Sequence, residues 1–192
     1  MAVKRKRAIF LDKDGTLIKD VPYNVRPSRV WFYPDAASSL GQLQSKGYLL
    51  IIVSNQSGVA RGMFPEAEAR KTLGYVQEQL NKTGVAIEDY FYCPHHPNSA
   101  ISKYRAACDC RKPAPGLLLK AAAKHGIDLS ESWMIGDILD DVEAGNRAGC
   151  RSILIDNGNE TEWKKGPYRI PVANVDSLTK AANLILSERG AA

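Results

Sequence analysis

Two aspartates that stand one residue apart, Asp12 and Asp14, follow a short apolar run near the start of the sequence. Residues two apart in extended backbone point to the same side, so we expect their carboxylates to lie close together. Such carboxylates repel each other, and a cation relieves the repulsion. Asp137 follows another apolar run and offers a third hard oxygen ligand. The three residues predict a Mg²⁺ site in which one carboxylate can attack phosphorus and another can transfer a proton.

A phosphoryl group also needs positive charge and hydrogen-bond donors around it. Ser54 follows a third apolar run, and Lys112 stands just before a predicted helix. Hydroxyl and ammonium groups neutralise the charge that develops in phosphoryl transfer. Each motif alone is also typical of an ordinary turn or helix cap. Their joint occurrence at predicted strand ends favours phosphoryl-transfer chemistry.

The elements that must position these residues alternate along the chain. Strands are predicted at 8–11, 48–53, 90–92, 133–135 and 152–155. Helices are predicted at 35–45, 65–81, from 113 or 115 to 123, 140–148 and 177–187. This alternation predicts an α/β fold, a three-layer Rossmann-like parallel sheet with helices on both faces and no large cap domain. Ligands bind beyond the carboxyl ends of such strands, where the candidate residues stand.

Four segments resemble the motifs of phosphatases of the haloacid dehalogenase (HAD) superfamily. They are Asp12-Lys13-Asp14-Gly15-Thr16-Leu17, Ser54-Asn55-Gln56, Lys112-Pro113 and Gly136-Asp137-Ile138-Leu139-Asp140-Asp141. The resemblance implies that Asp12 is the nucleophile, that Asp14 is the general acid and base, and that Ser54 and Lys112 bind phosphate. It also implies that Mg²⁺ is held by Asp12, the backbone carbonyl of Asp14, and Asp137.

Cysteine and histidine residues crowd into one further segment. The set is Cys93, His95, Cys108 and Cys110. Three thiolates and one imidazole form the closed tetrahedral set of a structural zinc site. His96 and Cys150 are alternative ligands. Because Cys110 directly precedes Arg111 and Lys112, we expect zinc to fix the cationic side of the phosphate site rather than to act in catalysis.

The zinc segment and the segment 55–62 together resemble the D-glycero-D-manno-heptose-1,7-bisphosphate 7-phosphatase family. This family is similar to the histidinol-phosphate phosphatases, which share the zinc loop. The long stretch between His95 and Cys108 and the continuation 57–62 favour the heptose side. The resemblance implies removal of the 7-phosphate of a phosphorylated sugar in ADP- or GDP-heptose biosynthesis, which supplies bacterial lipopolysaccharide and related polymers.

The same resemblance implies a set of residues that contact the substrate. They are Asp20, Tyr23, Ser54, Asn55, Gln56, Ser57, Arg61, Arg111 and Lys112. Two departures from the family pattern could change the substrate. Ile138 stands where a basic residue is frequent, and Val21-Pro22 stiffens the stretch before Tyr23. Histidinol phosphate or another small sugar phosphate is the alternative substrate, and a non-catalytic, zinc-stabilised binding module is the remote alternative.

Composition excludes several other classes of protein. The chain has 192 residues, of which 44% are hydrophobic and 24% charged, as in ordinary globular proteins. This length predicts one domain, residues 1–192, with the zinc loop 93–110 inserted. No apolar run approaches the roughly 20 residues of a membrane span, and no secretory pattern precedes Asp12. The net charge is +5, and the basic run Lys4–Arg7 has no interleaved aromatic residues. We expect a cytoplasmic monomer without nucleic-acid or membrane partners.

Overall fold

The computed structural model describes residues 5–188. The strands are β1 Arg7–Leu11, β2 Tyr48–Asn55, β3 Ile87–Cys93, β4 Trp133–Gly136, β5 Arg151–Ile155 and β6 Ala173–Val175. The helices are α1 Ala36–Ser45, α2 Ser57–Ala60, α3 Glu66–Lys82, α4 Gly116–His125, α5 Leu139–Ala148 and α6 Leu178–Ser187. The strands form one parallel sheet in the order β3-β2-β1-β4-β5-β6. The predicted α/β architecture is confirmed.

β1 and β2 each contain an uncharged apolar run because both faces of each strand are covered. The run of β2 from Tyr48 to Val53 carries no charge, as expected for a strand buried between two helical layers. In β1, Ile9 and Leu11 pack into a core with residues of α1, α3 and α6. Ala8 and Phe10 face the opposite way and pack with residues of α4 and α5. The period of two along the strand therefore assigns its side chains to two separate cores.

Glycines end the two helices that cover the second core. Gly126 follows α4 with φ 67°, and Gly149 follows α5 with φ 91°. These left-handed conformations carry a steric cost for residues with a Cβ atom, so glycine is favoured there. α5 ends at the predicted residue 148, and α4 continues two residues past its predicted end at 123.

One strand and one α-helix were not predicted, and β2 and β3 are both longer than predicted. β3 extends over seven residues because β2 pairs with it from Leu50 to Asn55. β6 has three residues at the edge of the sheet, and α2 has four residues that include Gly58. Neither segment is long enough to show a hydrophobic period.

The basic run near the start of the sequence is partly built into the fold. Lys4 lies outside the described residues. The backbone N–H of Lys6 donates to the carbonyl of Gly126 at 3.1 Å, and the Arg7 guanidinium lies 4.5 Å from the centre of the Tyr48 ring. Across residues 5–188, none of the helices combines the length and the apolar character needed to span a membrane.

Candidate active site

Three loops meet at the carboxyl end of the sheet. β1 lies between β2 and β4, with Leu11 opposite Ile52 on one side and Ile135 on the other. The N–H of Asp12 donates to the carbonyl of Ile135 at 3.0 Å, which continues the pairing one residue past β1. The residues after these strands therefore share one rim, as the sequence predicted.

Three buried carboxylates form a compact group at this rim. Asp12, Asp137 and Asp141 each place one oxygen within 4.8 Å of the others, and all three residues are buried. Burial first, then the charges of Asp12 and Asp141, raises the pKa of Asp137 to about 8. Burial is also the largest cause that raises the pKa of Asp141 to about 7. Buried oxygens that repel one another fit a hard divalent cation, so the donor set suits Mg²⁺.

Lys112 lies against this carboxylate group and is buried. Its Nζ contacts Asp12 Oδ1 at 2.5 Å, Asp141 Oδ1 at 2.6 Å and the carbonyl oxygen of Val53 at 2.9 Å. Burial alone lowers the pKa of Lys112, but the charges of Asp12 and Asp141 raise it above its ordinary value. The ammonium is thus a fixed positive charge beside the proposed nucleophile.

The second predicted acid, Asp14, pairs with a different lysine. Lys13 is buried, and its Nζ donates to Asp14 Oδ1. Burial is the largest cause that raises the pKa of Asp14; the Lys13 charge opposes this and the Asp12 charge adds to it. A carboxyl with a raised pKa suits a group that gives and takes a proton. The carboxylate group that could hold a cation contains Asp141 rather than the side chain of Asp14.

The loop after β2 is tied to both the serine and the lysine of the site. The amide of Gln56 donates to Ser54 Oγ at 2.9 Å, which leaves the Ser54 hydroxyl proton available for an acceptor. Asn55 makes two bonds with the backbone of Lys112: its Nδ2 donates to the carbonyl at 3.0 Å, and its Oδ1 accepts from the N–H at 3.1 Å. Asn55 therefore links the β2 loop to the segment that carries Lys112.

A cavity of about 350 Å³ opens directly above these groups. The predicted site residues that line it are Asp12, Asp14, Asp20, Tyr23, Asn55, Gln56, Ser57, Lys112 and Asp137. Tyr23 stands at the rim with φ 55°, a left-handed conformation that is uncommon for a bulky residue. Phe64 also lines the cavity, and a Cβ atom at Gly58 would overlap its ring. Ser54, Arg61 and Arg111 are not among the residues that line the cavity.

The predicted thiolate and imidazole ligands come together at the end of β3. The three sulfur atoms of Cys93, Cys108 and Cys110 lie 3.1–3.5 Å apart, and His95 Nδ1 lies 3.4 Å from Cys110 Sγ. The hydrogen bond with Cys93 is the largest cause that lowers the pKa of Cys110, and the same contact raises the pKa of Cys93, so Cys110 is the thiolate of the pair. A thiolate is the form that binds metal, so this group could hold zinc with four protein ligands.

The two alternative zinc ligands lie outside this group. His96 Nδ1 accepts a hydrogen bond from the N–H of Asn98 at 3.2 Å. Cys150 is buried in the core formed with α4 and α5. Burial raises its pKa to about 12, which disfavours the thiolate. The group that could bind metal is therefore the predicted one.

Sequence reasoning missed three residues of the site. Lys13 stands between two aspartates and reads as a surface charge, yet it is buried. Asp141 is quoted above in the segment 136–141 but given no role there; in the structure it lies in the first turn of α5, four residues after Asp137. Asn159 donates to Asp137 Oδ2 at 2.8 Å from a loop without any pattern.

The parallel sheet and the carboxylate group beside Lys112 define a phosphatase of the HAD type. A family model described as HAD-hydrolase-like matches residues 109–181. A 7-phosphatase of D-glycero-β-D-manno-heptose 1,7-bisphosphate from Rhodopseudomonas palustris is 41% identical over 145 residues, 76% of this chain and 81% of that protein. The Pasteurella multocida protein of the same name is 40% identical over 177 residues, 91% of this chain and 96% of that protein.

A solved structure supports the same assignment. D,D-heptose 1,7-bisphosphate phosphatase from B. bronchiseptica, complexed with magnesium and phosphate, superposes with a TM-score of 0.76. It is 26% identical and covers 95% of this chain and 99% of its own. The chain belongs to the D-glycero-β-D-manno-heptose-1,7-bisphosphate 7-phosphatase family.

Proposed function

We propose that the chain removes the 7-phosphate of D-glycero-β-D-manno-heptose 1,7-bisphosphate in a Mg²⁺-dependent reaction. The observation that carries the proposal is the buried Lys112 ammonium set against a group of three carboxylates that includes Asp12. The names of relatives about 40% identical support the substrate. The product enters the synthesis of a nucleotide-activated heptose.

Asp12, the backbone carbonyl of Asp14, and Asp137 would hold the metal. All three are oxygen ligands, and two of them belong to the carboxylate group that could hold a cation. When bound, Mg²⁺ neutralises charge on the phosphoryl oxygens and relieves the repulsion among the carboxylates. Asp141 contacts Lys112 instead and holds that ammonium in place.

The first half of the reaction transfers the phosphoryl group to the protein. A carboxylate oxygen of Asp12 attacks phosphorus, and the bond between phosphorus and the sugar oxygen breaks. Asp14 gives its proton to the leaving oxygen, and the raised pKa of Asp14 favours the protonated form that this step needs. The products are the free hydroxyl of the sugar and an aspartyl-phosphate at Asp12.

The second half returns the protein to its starting state. Asp14, now a carboxylate, takes a proton from water as the water oxygen attacks phosphorus. The bond between phosphorus and the Asp12 oxygen breaks and inorganic phosphate leaves. Lys112 and the hydroxyl of Ser54 stabilise the charge on phosphate oxygens in both halves.

Arg61, His96 and Arg111 supply donors for the second phosphate of the substrate. The Nδ1 of His96 accepts from a backbone N–H, so the neutral ring carries its proton on Nε2. That Nε2 lies 3.5 Å from Nη2 of Arg61, and two donors cannot satisfy each other. The buried Nη1 of Arg111 has no hydrogen-bond partner among residues 5–188. Desolvation, then the charges of Arg111 and Arg61, lowers the pKa of His96, which places the three groups near one another. An anion would satisfy all of them.

Phosphate release from the heptose bisphosphate and from histidinol phosphate, with Mg²⁺ and with EDTA, tests the proposal. We expect Mg²⁺-dependent release that strongly favours the bisphosphate, and ³¹P NMR should show a product that keeps the 1-phosphate. Release that favours histidinol phosphate would show that the substrate is that of the histidinol-phosphate phosphatases. Mg²⁺-independent release or no release from either compound would contradict the proposal.

The donors for the second phosphate need a separate test. His96→Ala should raise KM for the bisphosphate about tenfold, the effect of losing one charge-assisted hydrogen bond. The same sugar with only a 7-phosphate is the control substrate, and its KM should not change. An equal rise for both substrates would contradict a role in binding the 1-phosphate.

We further propose that residues 1–192 act as one domain and as a cytoplasmic monomer. The single sheet across residues 5–188 supports one domain. Four free cysteines, three of them in a group that could hold zinc, are typical of a reducing compartment. Sedimentation of the purified chain as a species of about 21.1 kDa would agree with a monomer, and a concentration-dependent dimer would refute it.

A further inference from the structure

The loop after β5 contacts the carboxylate group, although it belongs to none of the four segments that resemble HAD motifs. Asn159 Nδ2 donates to Asp137 Oδ2 at 2.8 Å. A Cβ atom at Gly15 would overlap both of these side chains, so the β1 loop packs directly on this hydrogen bond. Asn159 therefore lies where three loops of the site converge.

Two neighbouring side chains hold Asn159 in this position. Asn157 Oδ1 accepts from the N–H of Asn159 at 3.2 Å, while Asn157 Nδ2 donates to the carbonyl of Gly15 at 2.6 Å. On the other side, Glu160 is buried and its Oε2 accepts from the N–H of Leu139 at 2.7 Å, in the first turn of α5. The loop is thus attached both to the β1 loop and to the helix that follows Asp137.

We propose that Asn159 is a positioning residue that orients the Asp137 carboxylate and thereby sets the affinity of the site for a divalent cation. The proposal rests on the proposed function only in taking Asp137 as a metal ligand. A hydrogen bond to one carboxylate oxygen fixes the plane of the group and the direction of its other oxygen. The amide is neutral, so it orients Asp137 without cancelling the negative charge that attracts the cation.

Calorimetric titration of Mg²⁺ into the zinc-loaded protein, without substrate, tests this role. Asn159→Ala should raise the Kd for Mg²⁺ about tenfold, the lower end of the usual effect of removing a group that orients a metal ligand. Asn159→Ser, whose shorter side chain does not span the same distance, should weaken binding to a similar degree. Asn174→Ala, at an exposed position on β6, is the matched control and should bind Mg²⁺ like the unchanged protein.

The competing role for Asn159 is direct contact with substrate, because it also lines the cavity. The two roles separate when KM is measured at saturating Mg²⁺. A positioning role predicts that KM stays within twofold once the metal site is filled. An unchanged Kd for Mg²⁺, with or without a raised KM, would overturn the proposal. Because the titration contains no substrate, an error in the assigned sugar would leave its result unaffected.

Discussion

The two groups of metal-binding character in this chain are built in opposite ways. The carboxylates of Asp12, Asp137 and Asp141 follow strands of the sheet, and each lies one to five residues past a strand end. The zinc-type ligands lie mostly on a long connection between β3 and α4 that contains one short 3-10 helix, Ser102–Tyr104. The ends of the strands therefore position the carboxylates. The long loop has little regular structure of its own, so a metal bound by the cysteines and histidine would hold its conformation.

Charge distinguishes the two groups as sharply as position. The carboxylate group has three acids beside one buried lysine, and it faces an open cavity. The cysteine and histidine group offers four ligands that would close around one ion and leave no open position. A metal site that keeps an open position and an excess of negative charge is typical of catalysis. A site closed by four protein ligands is typical of a structural role. Removing a ligand should therefore affect activity alone in the carboxylate group, and stability, with activity lost as a consequence, in the cysteine and histidine group.

Asp12→Asn gives the largest expected effect and breaks the carboxylate group alone. The amide is a poor nucleophile, so turnover should fall by at least roughly a thousandfold. The thermal unfolding midpoint should change little, because one of three mutually repelling charges is removed while Lys112 keeps Asp141. Phosphate release and calorimetry on the same preparation measure both. Substantial remaining turnover would eliminate Asp12 as the nucleophile.

Cys110→Ser should break the other group, with loss of zinc, stability and activity together. We expect a loss of about 3 kcal/mol or more, which corresponds to roughly 6–12 °C in the unfolding midpoint. Activity should fall because Arg111 and Lys112 follow directly in the chain. Metal content by mass spectrometry is the main readout. Cys150→Ala is the control and should keep one zinc ion per chain; a normal zinc content in Cys110→Ser would refute the ligand set.

Mg²⁺ should stabilise the protein more at high pH than at low pH. The pKa values of Asp137 and Asp141 are raised to about 8 and about 7, well above the ordinary value for an aspartate. Without Mg²⁺, the stability gained from their protonated forms is complete at low pH and is lost as pH rises through this range. We expect the midpoint without Mg²⁺ to fall by a few degrees between pH 6 and 8.5, with Mg²⁺ restoring it. An equal effect of Mg²⁺ at both pH values would argue against repulsion among buried carboxylates.

Asp89→Asn should have the smallest effect, because it lies on the edge strand β3. Its carboxylate accepts from Lys124 at 2.7 Å and from His125 at 2.8 Å, in a partly exposed cluster. We expect a loss of at most about 1 kcal/mol and no change in turnover. Denaturant unfolding and phosphate release on one preparation measure the two quantities. A large loss of activity would mean that charges outside the two metal-binding groups also control the site.

The parts of the site that the sequence predicts are those that follow from strand ends and from ligand chemistry. Asp12 and Asp137 are predictable because each comes directly after an uncharged, buried run. The cysteines are predictable because closely spaced thiolates together with a histidine are typical of a zinc site. Tertiary contact decides the rest. Asn159 reaches Asp137 across 22 residues, and no local pattern indicates the path of that loop.

Lys13 is a second residue whose contacts the sequence does not predict, although its partner Asp14 is the next residue in the chain. The sequence analysis assigns no role to Lys13, yet in the structure this side chain is buried and donates to Asp14, in a turn where Gly15 has φ 85°. β6 and α2 escaped prediction because both are too short to show a period. The sequence thus predicts which residues stand at the ends of strands. It does not predict which way the side chains in the loops point.

The three contacts of the Lys112 ammonium have a consequence for the end of the catalytic cycle. Its Nζ donates to Asp12 and to the Val53 carbonyl and forms an ion pair with Asp141, so the ammonium has partners within the protein before any phosphate arrives. An incoming phosphate must therefore displace one of these partners to contact the Lys112 ammonium. After hydrolysis the same acceptors compete with inorganic phosphate for the lysine. Product inhibition should accordingly be weak, and the cleaved phosphate should leave readily.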